Sequence, residues 1–409
     1  MSSSGHARVV GSRRRRKAQP ATRVQGTTPQ RARPKWARPN PEGIGGIAEQ
    51  SAGMPKASAG SGASPTGASP KRSVAKWARL SDEQLLSLRF CDLQLSIEHS
   101  SLRRYVSRLY SELESRGLDF QPHVWLSEEW FSPDGVPGIA VPFYLAHPRL
   151  ERLERRIMRE AEGGNSRWLM RILRHEAGHA LDNAYRLRRR RRWREVFGPA
   201  SAPYPNRYRA RPGSRRYVHH LGEWYAQAHP TEDFAETFAV WLKPRSSWRT
   251  RYADWPALGK LSAVDELVAD VRGTRAPVRN RIRIEPIDRN TRTLAEHYRR
   301  KLAHNRSTRR GVSDQFLKKV FSVERMRPRA TRAATLLRTH RATLVAHVAR
   351  TLHTERYTVQ QVLRMLIERS EGLRLYVRRS KREAVRHSRS MLERITRFYA
   401  QGETPQLPL

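Results

Sequence analysis

The stretch RILRHEAGHALDNAYRLRRRRRWRE, residues 171–195, joins the pattern of a metal site to a run of arginines. His175 and His179 are four residues apart, so both imidazoles project from the same face of a helix. With Glu176 between them they form HExxH, in which two histidines bind Zn²⁺ and the glutamate is a general base acting on water. The spacing predicts one continuous helix over residues 171–195.

Other positions of this helix carry further predictions. Asp182 lies one turn beyond His179 on the same side, where a carboxylate can orient an imidazole ligand, and a polar role on a half-exposed helix is an equal alternative. Gly178 costs about 1 kcal/mol relative to alanine, which indicates a close approach by another element. Arg190 would lie about 16 Å along the axis from His179. The arginines are therefore expected to form a solvated or polyanion-facing tail that does not disturb the metal.

A catalytic zinc site usually needs a third protein ligand. The segment YAQAHPTEDFAETFAVWLKP, residues 225–244, predicts a helix that begins at Pro230 and ends before Lys243-Pro244. Glu232 and Glu236 are four apart on one face, opposite an aromatic face, which predicts one ligand and one carboxylate that orients a ligand. The alternatives left open as ligands are His219, His220, Glu223 and His229.

The two motifs HEAGHALDNAY and YAQAHPTEDFAETF together resemble a bacterial zinc-binding metallopeptidase family and, more distantly, the lethal-factor-type zincin proteases. The first likeness spans residues 81–264, and the second covers only the two motif helices. The resemblance implies that His175, His179 and Glu232 bind Zn²⁺ and that Glu236 supports them. It also implies that Tyr225 stabilises the oxyanion or protonates the leaving group. The implied activity is zinc-dependent hydrolysis of a polypeptide substrate, with Glu176 assisting the attack of a zinc-bound water.

The predicted fold is α+β and mostly helical, with a zincin-like core that combines a small sheet, the active-site helix and the glutamate helix. Residues 1–78 are rich in Ser, Gly, Pro and Arg and are expected to be a disordered basic arm. Residues 79–261 form the predicted metallopeptidase core, and residues 262–409 a basic helical extension. The core contains two predicted strands, HVWLS and GIAVPFYLAHP, and the second is a candidate edge along which a peptide substrate would lie.

The chain is strongly basic, with 80 Lys and Arg against 38 Asp and Glu and a net charge of +42. Such a charge favours non-specific binding of polyanions, including nucleic acid, through the arm and the helical extension. The alternative function is therefore a basic nucleic-acid-associated protein in which the zinc site is structural or vestigial. Neither charge nor motif identifies the substrate.

The single cysteine, Cys91, excludes an internal disulfide framework and a cysteine-based zinc cluster. The sequence has no apolar run of the length that spans a membrane, and no apolar segment follows the RRRRK run near the start. These features predict a cytoplasmic protein without a transmembrane segment or an export signal.

Overall fold

The structure is a computed structural model that describes residues 75–158, 160–205, 207–307, 312–326, 328–400 and 407–408. Most of the arm predicted over residues 1–78 lies outside these residues. At the end of the predicted arm, Trp77 is buried and its indole N–H donates to the Leu93 carbonyl at 3.0 Å. This contact fixes a short 3₁₀ turn, Lys76–Arg79, to the core.

Helices make up most of the described residues, as the sequence predicts, and the sheet is small. The α-helices are α1 (Asp82–Ser87), α2 (Leu102–Glu114), α3 (Pro148–Met158), α4 (Ser166–Tyr185), α5 (Arg191–Phe197), α6 (Pro230–Leu242), α7 (Trp248–Arg251), α8 (Ala257–Ala269), α9 (Leu294–Ser307), α10 (Val312–Val320), α11 (Ala333–Thr339), α12 (Arg341–Thr351), α13 (Arg356–Gly372) and α14 (Lys381–Ala400). The strands are β1 (His123–Ser127) and β2 (Gly138–Pro142), which pair in parallel, and β3 (Arg207–Tyr208) and β4 (Leu407–Pro408), which pair antiparallel.

Helix α4 contains the HExxH pattern but ends earlier than the sequence predicts. Its last residue is Tyr185, and Arg186 adopts a left-handed conformation with φ 53°. A 3₁₀ turn, Leu187–Arg189, and the separate helix α5 follow. The prediction of one continuous helix over residues 171–195 is therefore wrong.

Side-chain and long-range contacts end this helix. The Asp182 carboxylate accepts a hydrogen bond from the backbone N–H of Arg188 at 2.7 Å, which holds the chain in a turn. The Ala184 carbonyl accepts from the backbone N–H of Val278 at 3.1 Å, a partner far away in sequence. Because these partners lie outside the helical repeat, periodicity alone does not predict where α4 ends.

Both predicted strands are present, although the second ends at Pro142 and a 3₁₀ turn, Phe143–Ala146, follows. Strand β2 does not offer a free edge to a peptide. On its side away from β1, Ala140 exchanges two backbone hydrogen bonds with Phe131, at 2.8 and 3.4 Å. The Gly138 N–H donates to the Val136 carbonyl at 2.9 Å, and Pro142 has no N–H to donate. On the side of β2 away from β1, the backbone N–H groups already donate to other carbonyls or, at Pro142, are absent. The prediction of a substrate-binding edge on this strand is therefore wrong.

All described residues lie in one compact unit of the chain, and their buried apolar side chains form two large clusters. The first, the core cluster, runs from Trp77 to Tyr298 and includes the apolar faces of α4 and α6. The second, the C-terminal cluster, joins α10 to α14 with residues between 208 and 228, among them Tyr225. The C-terminal helices therefore pack directly against the loop that carries a candidate site residue.

The boundary predicted between residues 261 and 262 falls inside α8. Leu261 and Val264 of this helix are both buried in the core cluster, and so are Leu294 and Tyr298 of α9. The domain division stays a prediction, although the first part of the predicted extension packs with the core. Among the described residues, every helix is too short or too polar to cross a membrane.

Candidate metal centre

Helix α6 forms as the sequence predicts, and its caps place acidic residues at its N-terminus. Pro230 is the first residue, and the preceding His229 accepts a hydrogen bond from the Thr231 N–H through its ring. Glu232 lies in the first turn, where the helix dipole stabilises a carboxylate. Helix α6 packs against α4 at Gly178, so the close approach predicted from this glycine is confirmed.

Three ligand atoms converge between α4 and α6. His175 Nε2 lies 3.1 Å from Glu232 Oε2 and 3.1 Å from His179 Nε2, and His179 Nε2 lies 3.2 Å from the same oxygen of Glu232. In a tetrahedral zinc site with bonds of about 2.0–2.2 Å, neighbouring ligand atoms are about 3.3–3.6 Å apart. The observed separations are close to this spacing. Within the described part of the chain, these three residues are the group that could hold a metal ion.

The centre is shielded from solvent except near one histidine. The exposed fractions of the side chains are 0% for His175, 3% for Glu232 and 13% for His179. Solvent therefore reaches the three ligand atoms most easily from the His179 side.

Glu236 orients His175 from the far side of the ring. His175 Nδ1 lies 2.9 Å from Glu236 Oε1, so the ring donates through Nδ1 and Nε2 points toward the other two ligand atoms, where its lone pair would bind a metal once the Nε2 proton is lost. The second oxygen of Glu236 accepts from the Leu221 N–H at 2.8 Å. Glu236 thus lies where the sequence predicts a ligand-orienting carboxylate.

The buried charges of the cluster shift one another strongly. Burial lowers the pKa of His175, but hydrogen bonds with Glu232 and Glu236 outweigh it and raise that pKa to about 10. Burial raises the pKa of Glu232, but the charge of His179 and the hydrogen bonds from both histidines bring it well below its ordinary value. Without a metal, the cluster is therefore a carboxylate paired with imidazolium. A bound dication would displace the proton that the imidazolium holds toward the carboxylate.

Glu176 is fully buried beside the cluster. Neither of its carboxylate oxygens accepts a hydrogen bond of ordinary geometry from a described residue. Burial raises its pKa, and the nearby charges of His175 and His179, together with the Ser132 hydroxyl, oppose the shift. A buried carboxylate with a raised pKa is suited to accept a proton.

Tyr225 lies next to the cluster on a strained segment. Its ring centroid is 5.7 Å from that of His175, and burial raises the pKa of its hydroxyl well above 10, so the phenol keeps its proton. The two preceding residues, Glu223 and Trp224, have φ of 57° and 55°, which is costly for residues with a side chain. The neighbouring fold therefore holds Tyr225 at a definite position against His175.

Tyr204 is a site residue that the sequence does not reveal. Its hydroxyl donates to Glu232 Oε1 at 2.7 Å and also contacts the Thr231 hydroxyl. Its ring stacks on His229, with centroids 3.7 Å apart. The surrounding SAPYPN has neither helical nor strand periodicity and no metal-ligand pattern, so no sequence signal identifies this tyrosine.

Asp182 does not orient a histidine as predicted. Both of its oxygens accept from Arg188, one from the backbone N–H at 2.7 Å and the other from Nε at 2.6 Å. Asp182 is 1% exposed, and this contact compensates its buried charge. Its role in the structure is to end α4, and the prediction that it contacts a metal-binding imidazole is wrong.

The four alternative ligands lie elsewhere. His220 Nε2 donates to the Arg171 carbonyl at 2.9 Å, and His229 caps α6. His219 Nε2 lies 3.5 Å from the Tyr357 hydroxyl, and Glu223 belongs to the strained segment before Tyr225. Among the described residues, none of the four belongs to the group that could hold a metal.

The arginines after α4 are largely paired with carboxylates rather than free. Arg188 is only 17% exposed and bridges Asp182 and Asp134, so the prediction of a solvated or polyanion-facing tail is wrong for it. Three exposed or half-buried pairs follow: Arg190 with Asp270, Arg191 with Glu195, and Arg192 with Glu266. The run therefore helps fold the segment between α4 and α5 and connects it to α8 and the residue that follows it.

The segment that carries the metal cluster matches the model of a known protein family. Residues 148–254 match the sequence model of a family described as "Putative zinc-binding metallo-peptidase". This segment includes α3, α4 and α6, and it contains every residue of the metal cluster. The match confirms the resemblance to a zinc-binding metallopeptidase family and covers a shorter range than the predicted 81–264, whereas the likeness to lethal-factor-type zincins stays a prediction. No curated protein and no solved structure matches the chain significantly.

Proposed function

We propose that this chain is a zinc-dependent peptidase that hydrolyses polypeptides at the centre between α4 and α6. The observation that carries the proposal is the convergence of His175 Nε2, His179 Nε2 and Glu232 Oε2 to within 3.2 Å of one another. The family match over residues 148–254 supports the same conclusion.

The donor set fits zinc, since two imidazoles and one carboxylate are a common protein contribution to a catalytic zinc site. Zinc bound there would lower the pKa of a water and polarise the substrate carbonyl. Glu236 keeps His175 in the tautomer that leaves Nε2 free to bind. The partly exposed His179 marks the side from which substrate would enter.

Glu176 is the general base in the proposed reaction. As water attacks the carbonyl carbon, its proton passes to a Glu176 oxygen; the C–N bond then breaks as that proton reaches the leaving amine. No described residue makes a hydrogen bond of ordinary geometry to either carboxylate oxygen, and the Ser132 hydroxyl lies close enough to oppose the rise in the Glu176 pKa, so the carboxylate can still accept from the water. The raised pKa of Glu176 suits a group that must both take up and release a proton.

Tyr225 stabilises the transition state in this proposal. Its hydroxyl donates to the carbonyl oxygen as that oxygen gains negative charge, which requires a phenol that stays protonated. Its raised pKa and its position against His175 support this role.

The alternative of a nucleic-acid-associated protein gains no support from the family match or from the ion pairs of Arg188 and the arginines that follow it. The cytoplasm remains the proposed location, because a chain with a single cysteine forms no internal disulfide.

The test is cleavage of an unbiased peptide library by the full zinc-loaded chain, read by mass spectrometry, with zinc content measured in parallel. The wild type should cut peptides, and Glu176→Gln should keep its zinc and lose at least about 100-fold in rate. Glu195→Gln, a change in an exposed ion pair, should cut like the wild type. Turnover retained in Glu176→Gln would refute the role of Glu176. Zinc bound without any cleavage by the wild type would indicate a structural site instead.

A further inference from the structure

The two oxygens of Glu232 have different partners. Oε2 faces the Nε2 atoms of both histidines, at 3.1 and 3.2 Å, and Oε1 accepts a hydrogen bond from the Tyr204 hydroxyl at 2.7 Å. Glu232 is 2% exposed, so water does not compete for either oxygen. A hydrogen bond to a buried carboxylate is charge-assisted and is among the stronger ones in proteins.

The tyrosine is itself held in place by α6. Its ring stacks on His229 with an angle of 16° between the planes. His229 Nε2 lies 2.9 Å from the Ala202 carbonyl, which can only accept, so Nε2 carries a proton. His229 Nδ1 accepts the Thr231 N–H at 3.2 Å, and the Thr231 hydroxyl contacts that of Tyr204. The ring and the hydroxyl of Tyr204 are therefore both fixed by residues next to Glu232 in sequence.

We propose that Tyr204 is a positioning residue that makes Glu232 bind the metal through one oxygen. The inference rests on the proposed zinc site. A carboxylate can offer a metal one oxygen or both, and a hydrogen bond that engages Oε1 leaves Oε2 as the donor. Binding through one oxygen keeps a coordination position open, which a catalytic zinc site requires for water and substrate. Tyr204 acts on the metal through Glu232.

Tyr204→Phe tests this role because it keeps the stacked ring and removes only the hydroxyl. Tyr208→Phe is the matched control: Tyr208 lies on the same segment and is buried, but its hydroxyl donates to the Glu223 carbonyl at 2.8 Å. For the full chain, zinc affinity is measured by competition with a chromophoric chelator. Coordination is followed through the visible absorption of the protein loaded with Co²⁺, which reports coordination number.

In Tyr204→Phe, zinc affinity should fall about 10- to 100-fold, the usual effect of losing a residue that orients a ligand. Its Co²⁺ bands should also weaken, as expected when a carboxylate binds through both oxygens and coordination rises from four to five. Tyr208→Phe should match the wild type in affinity within about twofold and keep its spectrum. If Tyr204→Phe matches the wild type in both measurements, the inference is wrong and the zinc site stands. If the wild type binds no zinc, the proposed function itself fails.

A second substitution covers the case in which Tyr204→Phe does not fold. Replacing Tyr204 with 3-fluorotyrosine keeps the ring and the hydroxyl and makes the hydroxyl a stronger donor. The Co²⁺ bands should then shift while their four-coordinate intensity is retained. Bands identical in position to those of the wild type would overturn the inference.

Discussion

Gly178 of α4 is in direct contact with the backbone of α6 at Ala235. A Cβ atom at Gly178 would lie 3.0 Å from the Ala235 Cα and 3.3 Å from its carbonyl oxygen. Ala235 lies between Glu232 and Glu236 on α6, and Gly178 directly precedes His179 on α4. The separation of the proposed metal ligands on α4 and α6 therefore depends on a contact between two backbones.

Gly178→Ala should weaken the metal site by forcing α4 and α6 apart, because the backbone atoms of Ala235 cannot move aside as a flexible side chain would. We expect zinc affinity to fall at least about tenfold and the free energy of unfolding to fall by about 1–3 kcal/mol. Gly259→Ala in α8 is the control, since nothing lies within 4 Å of a Cβ there, and it should gain up to about 1 kcal/mol. Chelator competition and urea unfolding measure both effects; wild-type affinity in Gly178→Ala would contradict the role of this contact.

Arg188→Gln should lower the free energy of unfolding by about 3 kcal/mol, because it leaves the buried charge of Asp182 without its guanidinium partner. The neighbouring Arg189 is exposed, and Arg189→Gln should unfold like the wild type. The two variants remove the same charge from the same run of arginines. Equal stability of both in urea unfolding would mean that Arg188 is as solvated as the sequence pattern suggests.

Glu112→Ala should destabilise the helix that carries the histidines. Glu112 of α2 binds Arg174 with both oxygens, at 2.6 and 2.7 Å, and each side chain is 5% exposed. Removal of the carboxylate leaves a buried cation beside His175, which typically costs about 3–5 kcal/mol. Glu195→Ala removes the partner of the exposed Arg191 and should leave urea unfolding unchanged. Only Glu112→Ala should lose unfolding free energy. Similar urea unfolding curves for Glu112→Ala and Glu195→Ala would be inconsistent with a buried pair of Glu112 and Arg174.

His219 should make the fold sensitive to acid. Burial, together with the charges of Arg364 and Arg251, lowers its pKa to about 4, below the value of about 6.5 expected in an unfolded chain. As the pH falls, His219 therefore takes up its proton in the unfolded state before it does so in the folded state. The stability that neutral His219 contributes is present above pH 6.5 and is lost as the pH falls toward 4. His219→Gln should reduce the slope of unfolding free energy against pH by up to about 1.4 kcal/mol per pH unit. Parallel slopes from urea unfolding between pH 7 and 4.5 would exclude this linkage.

Local chemistry is what made the two site helices predictable. The spacing of His175 and His179, and Pro230 at the start of α6, depend on neighbours within a few residues. Both patterns predict helices that are present, although α4 ends at Tyr185 and does not continue to residue 195. Gly178 also predicts a long-range contact, because a glycine inside a helix indicates that another element packs closely there. Only the family resemblance distinguishes Glu232 from Glu236 as the metal ligand.

The features that the sequence did not reveal depend on partners far away in the chain. The end of α4 depends on the Val278 N–H, which donates to the Ala184 carbonyl. The burial of Arg188 depends on its ion pair with Asp134. The blocked outer edge of β2 depends on Phe131, which lies in the connection between the strands. Tyr204 reaches Glu232 across 28 residues from a loop without periodicity. The spacing of apolar or titratable residues along the sequence does not predict such contacts.

The most direct test of the metal centre is the zinc content of the purified full chain after dialysis against a weak chelator. The wild type should retain one zinc per chain, Glu176→Gln should retain the same amount, and His179→Ala should lose it, because one of three converging ligand atoms is removed. A wild type without zinc, or a His179→Ala protein with a full equivalent, would contradict the assignment of His175, His179 and Glu232 as the metal ligands.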